Sequence, residues 1–337
     1  MNLTSNSYFK YIYPAIPPAL WGIGIGVAKY LLSNYKIDNI SLTYTRFLFT
    51  ALLMTPLILY LIIKSSYKTS EHPNDKILSL INKIDFKKGI LFIIGVGITG
   101  VAVNNFIFYY GLNFTFASDA ALIVGMSPII SIILASIFVN HSIKRNQIIG
   151  SIIGLLGVAL MIGFAFVNFN FQRFLGDIIV LTAITLWSSS FIFSKKASEL
   201  NYSAIAITYY SITLAVIFMT PGIIILGTGS LITNLIINDP IFLLGMLYFG
   251  LLSGAIGYSL WYGNIHKMGA VETAIFLDSM PFWTIIFSII FLHETLSYFH
   301  IIGLVLISFG VIIVNKEKKP AKIVNISKDL VNDVSVN

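Results

Sequence analysis

The chain has 337 residues, 57% of them hydrophobic and 10% charged, with a formal net charge of +7. Ordinary soluble domains carry about 25% charged residues, so this composition leaves too little polar surface for a soluble globule. There is no cysteine, which excludes disulfides and thiolate metal sites; no metal site and no cofactor is indicated.

Charge-free apolar runs such as 47–63 and 148–167 recur along the chain. A helix rising about 1.5 Å per residue crosses a hydrocarbon core of roughly 30 Å in about 20 residues. Ten such segments are expected, near 14–33, 43–63, 89–112, 116–138, 147–167, 175–195, 203–226, 241–263, 270–292 and 299–315. The fold class is therefore all-α integral membrane with ten transmembrane helices. The alternation expected of a membrane β-barrel is absent. Pro14, Pro17 and Pro18 lead straight into the first segment with no basic region ahead of a cleavage site, so no removed signal peptide is expected. A long basic connection follows the second segment, and its 76–86 stretch reads as an amphipathic surface helix. Residues 316–337 form a polar tail.

Lysine and arginine placement sets the orientation. With the N-terminus in the cytoplasm, Lys10, the lysines of the long connection, Lys144, Arg145, Lys195, Lys196, Lys267 and those of the tail fall on the cytoplasmic side. Lys36 and Arg173 fall on the other side, and Lys29 and Arg46 lie within spans. Both termini are then cytoplasmic, in an inner or plasma membrane. The positive charge reads as topology in a lipid bilayer, with no nucleic-acid partner.

The stretch 104–128, NNFIFYYGLNFTFASDAALIVGMSP, is written again at 257–281, GYSLWYGNIHKMGAVETAIFLDSMP. A constant offset of 153 places Tyr109 on Tyr262, Ala117 on Ala270, Asp119 on Glu272 and Pro128 on Pro281. The register continues through Gly150 on Gly303 and Gly157 on Gly310. This is an internal duplication. Five spans per copy is odd, so the halves 14–167 and 175–315 insert in opposite orientations. Inverted repeats are a recurring plan of secondary transporters, with a midplane site between halves that rock to expose it alternately. One chain supplies both halves, and the oligomeric state is left open.

Several motifs carry a family resemblance. The first helix of each half reads Trp21-Gly-Ile-Gly-Ile-Gly-Val-Ala-Lys29 and Trp187-Ser-Ser-Ser-Phe-Ile-Phe-Ser-Lys195. Arg46-Phe-Leu opens the second span, the duplicated hairpin follows, and His293-Glu294-Thr-Leu precedes the last span. In this order the motifs resemble the drug/metabolite transporter superfamily, EamA type, over about residues 14–315. The resemblance implies a carrier for small metabolites, often an exporter of amino acids or related compounds, with a central cavity between the halves. The sequence departs from the pattern at His141, where an acidic residue is usual, and at Gly-Ile-Gly-Ile-Gly, where an aromatic commonly follows the tryptophan.

The candidate substrate-binding residues are Trp21, Lys29, Asn105, Tyr109, Tyr258, Trp261 and Asp278. Asp278 is the sharpest, because a charge near the bilayer centre costs on the order of 3 kcal/mol and such residues face cavities with partners. It reads either as a coupling carboxylate, carrying a proton or pairing a substrate amine, or as a hydrogen-bonding group in the kink at Pro281. Lys29 reads as a substrate-carboxylate ligand, an internal ion pair or a snorkelling residue. Arg46 is expected in a structural pair or headgroup contact. Asp119 and Glu272 are expected to cap helix N-termini. Asn104 and Asn105 bind substrate or glue helices. Tyr258 and Trp261, three apart on one face, read as cavity walls, and Tyr110 as part of the interfacial belt. The glycines at 150, 154, 157, 163, 303 and 310 are expected to permit close helix packing.

Enzyme signals are weak. Ser297 stands where a zinc motif starting at His293 needs its second histidine, and no ATP-binding loop is present. The expected function is secondary-active transport, with export favoured, of a small metabolite such as an amino acid or amine, with protons as candidate coupling ions. The alternatives are a membrane-embedded transferase acting on lipid-linked substrates and a non-transporting sensor or scaffold. The transferase needs acids or histidines clustered at one membrane face, and the sequence shows them scattered.

Overall fold

A computed structural model describes residues 9–35, 37–67, 86–138, 145–167, 170–295 and 297–314. The expected surface helix at 76–86, apart from its last residue, lies outside the described residues, as do His141 and the 316–337 tail. Among the described residues every regular element is helical. The helices are α1 Phe9–Tyr35, α2 Asn39–Tyr67, α3 (Phe86–Gly95, Val96–Ala102 and Val103–Leu112) and α4 (Ala117–Val124 and Ser127–Phe138). They continue as α5 Arg145–Val167, α6 Phe171–Glu199, α7 Ala204–Leu226 and α8 Gly229–Asn238. Last come α9 (Pro240–Leu247, Tyr248–Tyr258 and Ser259–Met268), α10 (Ala270–Ala274, Ile275–Ser279 and Met280–Phe291) and α11 Tyr298–Val314.

Seven of these stretches are long and apolar enough to cross a membrane. Shorter apolar helices, Ile148–Gly157, Met280–Phe291 and Tyr298–Gly310, fall in the other three segments expected from the sequence. Large apolar side chains such as Leu91, Ile217, Ile225 and Val305 face outward, an arrangement suited to lipid and prohibitive in water.

Helix ends follow local chemistry. The side chain of Asn170 accepts the Arg173 amide at 3.1 Å to start α6. Ser203 accepts the Ala206 amide at 3.1 Å to start α7. Gly227, with φ of 64°, ends α7 in the left-handed conformation that other residues adopt at a cost. Beyond it lies α8, a short apolar helix in a connection that the sequence reading left without an element. Ile232 of α8 is buried and seats it on the bundle.

The two copies share their irregularities. The π-helical stretch Val96–Ala102 in α3 has its counterpart, at the same offset of 153, within Tyr248–Tyr258 of α9. In α4 a turn at Gly125 and Met126 precedes the helix carrying Pro128. In α10 the 3-10 turn Ile275–Ser279 precedes the helix carrying Pro281. Proline lacks an amide hydrogen, so the ladder breaks just ahead of it in both copies.

Packing is reciprocal between the copies. The π-stretch of α3 packs on α7, and that of α9 on α2. Likewise α1 packs on the last part of α10, α6 packs on α4, and α5 lies along α11. The α5–α11 contact uses matched glycines, as expected. A Cβ at Gly310 would stand 2.6 Å from the Gly150 carbonyl oxygen, and one at Gly157 3.0 Å from that of Gly303.

Candidate functional site

Between α1, α2, α3, α6 and α9 lies a cavity of about 60 Å³, closed on another side by the breaks in α4 and α10 at Val124 and Met280. Four residues expected from the sequence, Trp21, Asn105, Tyr109 and Tyr258, line it together. Trp261 packs directly behind them, its ring centroid 5.2 Å from that of Trp21.

The wall is an aromatic cluster built by the repeated tryptophan motif. Trp21 meets Trp187, its partner in the other half, edge to face with ring centroids 5.4 Å apart. Tyr258 lies 5.0 Å from Trp21, and Trp187 stacks on Trp261 at 5.8 Å. Such offset and edge contacts suit the ring quadrupoles. The Trp21 indole is held by its N–H, which donates to the Ser253 carbonyl at 2.9 Å. Ser253 sits in the π-stretch of α9, where the wider turn displaces carbonyls from the α-helical ladder. Gly22 lets α1 cross the α10 break closely, since a Cβ there would be 2.6 Å from the Met280 carbonyl oxygen. Thr284 fixes that crossing by donating to the Gly22 carbonyl at 2.7 Å.

The polar side of the cavity is centred on Arg46, which is only 5% exposed. Its Nη1 donates to the Tyr109 hydroxyl and, at 3.3 Å, to Asn105 Oδ1. Its Nη2 donates to Ser253 Oγ at 3.3 Å. The guanidinium carbon stands 4.7 Å from the ring centroids of both Phe47 and Phe249. Arg46 is therefore a cavity residue, where the sequence suggested a structural pair or a headgroup contact. Its position about 10 Å into α2, at the helical rise, takes it below the headgroup level. The signal available in the sequence was a cation within a span, immediately ahead of the apolar run 47–63.

Asn104 and Asn105 donate to the Gly100 and Val101 carbonyls of the α3 π-stretch, at 3.4 and 2.9 Å. Both also line the cavity, their amide donors bonding within α3 itself, and Asn105 Oδ1 reaches α2 by accepting from Arg46. Two polar atoms here are buried without a partner, Arg46 Nε and Asn104 Oδ1.

Lys29 is elsewhere. Its ammonium donates to the Leu112 and Thr115 carbonyls, at 2.6 and 2.8 Å. A cation suits these positions because the last carbonyls of a helix have no partners in the ladder and carry its negative dipole end. Of the roles expected from the sequence, substrate ligation is not the one its contacts serve.

Lys29 belongs to a second assembly at that end of the bundle. Asp119 is fully buried and accepts from Arg173 Nε at 2.7 Å and from Thr115 Oγ1 at 3.2 Å, with His300 Nε2 2.8 Å away. Thr115 also bonds Asp177 Oδ1 at 2.5 Å. The expected capping role of Asp119 passes instead to Glu294. The Glu294 carboxylate accepts the Ala117 and Ser118 amides at 2.8 and 3.2 Å and the Ser118 hydroxyl at 2.9 Å. The acids and histidine that looked scattered in sequence are thus gathered at one end. Asp119 meets His300 directly and Asp177 through Thr115, Glu294 holds the adjacent Ser118, and none is among the described residues lining the cavity. Among the described residues no group of histidines and acids is arranged to hold a metal ion.

The backbone of Asp278 lies in the 3-10 turn Ile275–Ser279, just before Met280 of the cavity wall. Its side chain, like that of Glu272, lies outside the described residues. Tyr110 is exposed and packs on Phe106 and Phe114 along the outer surface.

A helical membrane bundle with broken helices facing a buried aromatic and cationic cavity defines a multi-pass membrane transporter. The chain belongs to the EamA-like transporter family, whose profile matches residues 9–163 and 174–316. It is 26% identical over 235 residues to the "Uncharacterized transporter YyaM" of Bacillus subtilis, covering 69% of this chain and 75% of that one. It is 21% identical over 220 residues to a "Probable terminal-alkyne amino-acid exporter" of Streptantibioticus cattleyicolor, covering 65% of this chain and 71% of that one. A solved crystal structure shares the fold, with a TM-score of 0.58 at 12% identity over 90% of this chain and 94% of that one.

Proposed function

We propose that this protein is a secondary-active exporter of a small organic metabolite, working by alternating access around the aromatic cavity. In this reading ten spans form two inverted five-helix halves, 14–167 and 175–315. Both termini lie on the cytoplasmic side of the cell inner or plasma membrane. The observation that carries it is the reciprocal packing, in which each copy's π-stretch and broken helix meet elements of the other copy around one cavity. Discontinuous helices at a midplane site between related halves are the working parts of such carriers. In this orientation, which the lysine asymmetry supports, the Asp119–Arg173–His300 assembly is on the outer side and locks both halves together. Rocking would separate that lock while the far end of the cavity closes. The export direction draws on the name of the Streptantibioticus cattleyicolor relative, and the transporter names of the relatives fit a protein that is not an enzyme. Proton coupling through Asp278 is part of the proposal.

The absence of native cysteine makes the test direct. A single cysteine replacing Ser253 in the cavity wall is expected to react with an impermeant maleimide from either membrane face, in oriented vesicles. Labelling from neither face would remove the carrier reading. For coupling, Asp278→Asn in proteoliposomes is expected to lose the pH dependence of transport; unchanged pH dependence would remove Asp278 from that role.

A further inference from the structure

Arg46 is the one charged residue among the described residues lining the cavity. Its hydrogen-bond partners Asn105, Tyr109 and Ser253 are all neutral. Described carboxylates elsewhere in the fold are engaged with other groups: Asp119, Asp177 and Glu294 in the end assembly, Asp239 at the start of α9. Its Nε is buried with no acceptor. A buried cation with no anion beside it among the described residues is costly, and intramembrane charges of this kind mark ligand pathways. The planar guanidinium matches a carboxylate in shape and charge. The rings of Trp21, Trp187 and Tyr258 line the same cavity, an apolar surface for the rest of a ligand.

Resting on the carrier reading above, we propose that Arg46 binds the substrate's carboxylate and that the substrate class is small organic carboxylates with an apolar or aromatic body. Simple cationic amines are excluded by the same charge. Asn104 Oδ1, the other unpartnered atom of the wall, is placed to accept from a hydroxyl or N–H on the substrate.

The test compares three probes that share a phenyl ring and a short chain: phenylacetate, 2-phenylethanol and phenethylamine. Each is titrated into the purified protein while the fluorescence of the cavity tryptophans is followed. Phenylacetate is expected to bind, with the alcohol and the amine at least about tenfold weaker, as loss of a charge-assisted hydrogen bond implies. Arg46→Gln is expected to abolish the preference and Arg46→Lys to keep part of it. A merely structural arginine would change stability without changing the ranking of the probes. The wild-type ranking stands by itself if Arg46→Gln does not fold. Equal binding of the amine or the alcohol, a preference that survives Arg46→Gln, or no binding of phenylacetate would each overturn the proposal. Because Ser253→Cys labelling reports on access alone, the carrier reading can survive any of these results.

Discussion

Asp119 Oδ1 lies 2.8 Å from His300 Nε2, joining residues 181 positions apart in the chain. The contact ties the duplicated hairpin of the first copy to the last helix of the second. Arg173 closes a triangle, with Nε 2.7 Å from Asp119 and Nη2 3.1 Å from His300. Removing one partner of a buried charged pair costs about 3–5 kcal/mol, because the remaining charge is left uncompensated. Arg173→Gln is therefore expected to lower the thermal unfolding temperature sharply. Adding Asp119→Asn is expected to recover part of that loss, a non-additivity read from the double-mutant cycle. Additive losses would show that the two side chains are not coupled.

Lys29 offers a contrast between stability and binding. Its ammonium closes the carbonyl end of α3 and stands outside the cavity. Lys29→Met is expected to destabilise the protein by about 1–2 kcal/mol and to leave phenylacetate affinity unchanged. A loss of affinity at unchanged stability would return Lys29 to the substrate site.

The glycines of the α5–α11 seam differ in kind from Gly222. Gly310→Ala places a Cβ against rigid backbone at Gly150 and Gly154. A cost of about 1–3 kcal/mol is expected from the forced separation of the helices. At Gly222 a Cβ would meet only Ile40 Cγ2, at 3.7 Å. Gly222→Ala is expected to be neutral or slightly stabilising, since alanine is the better helix former. Paired thermal-unfolding curves in one detergent check both.

Asp239 supplies a pH dependence outside the spans. The Phe242 amide, and then the Tyr35 hydroxyl, hold its carboxyl below the ordinary carboxylate range. A depressed folded-state pKa gives stability that is complete above the unfolded value of about 3.9 and fades as pH falls through the folded one. Asp239→Asn is expected to lower the unfolding temperature near neutral pH, with the gap to wild type narrowing in acid. A gap that stays constant with pH would mean that the carboxylate charge contributes nothing.

Much of this architecture follows from the chain itself. Apolar runs of membrane-crossing length dictate helices, because a backbone in hydrocarbon must satisfy its own hydrogen bonds. Gly227, Pro128 and Pro281 mark where the helices stop or break, through dihedral preference and a missing donor. Trp21, Tyr109 and Tyr258 are legible as candidate cavity residues, whereas Trp187, the matching tryptophan of the other half, joins the same wall only through the fold. Tertiary structure alone decided the polar chemistry. Sequence spacing gives the face of a helix and not which helix lies opposite, so of two cations inside spans Arg46 reads as a structural pair or headgroup contact and Lys29 as a candidate ligand. One faces aromatic rings and neutral groups around a cavity, and the other seals the carbonyl end of a neighbouring helix. Asp119 had the sequence position of a cap, yet Glu294 reaches the free amides from a distant loop. That leaves Asp119 to Arg173 and His300, because burial demands a counter-charge wherever the fold can bring one.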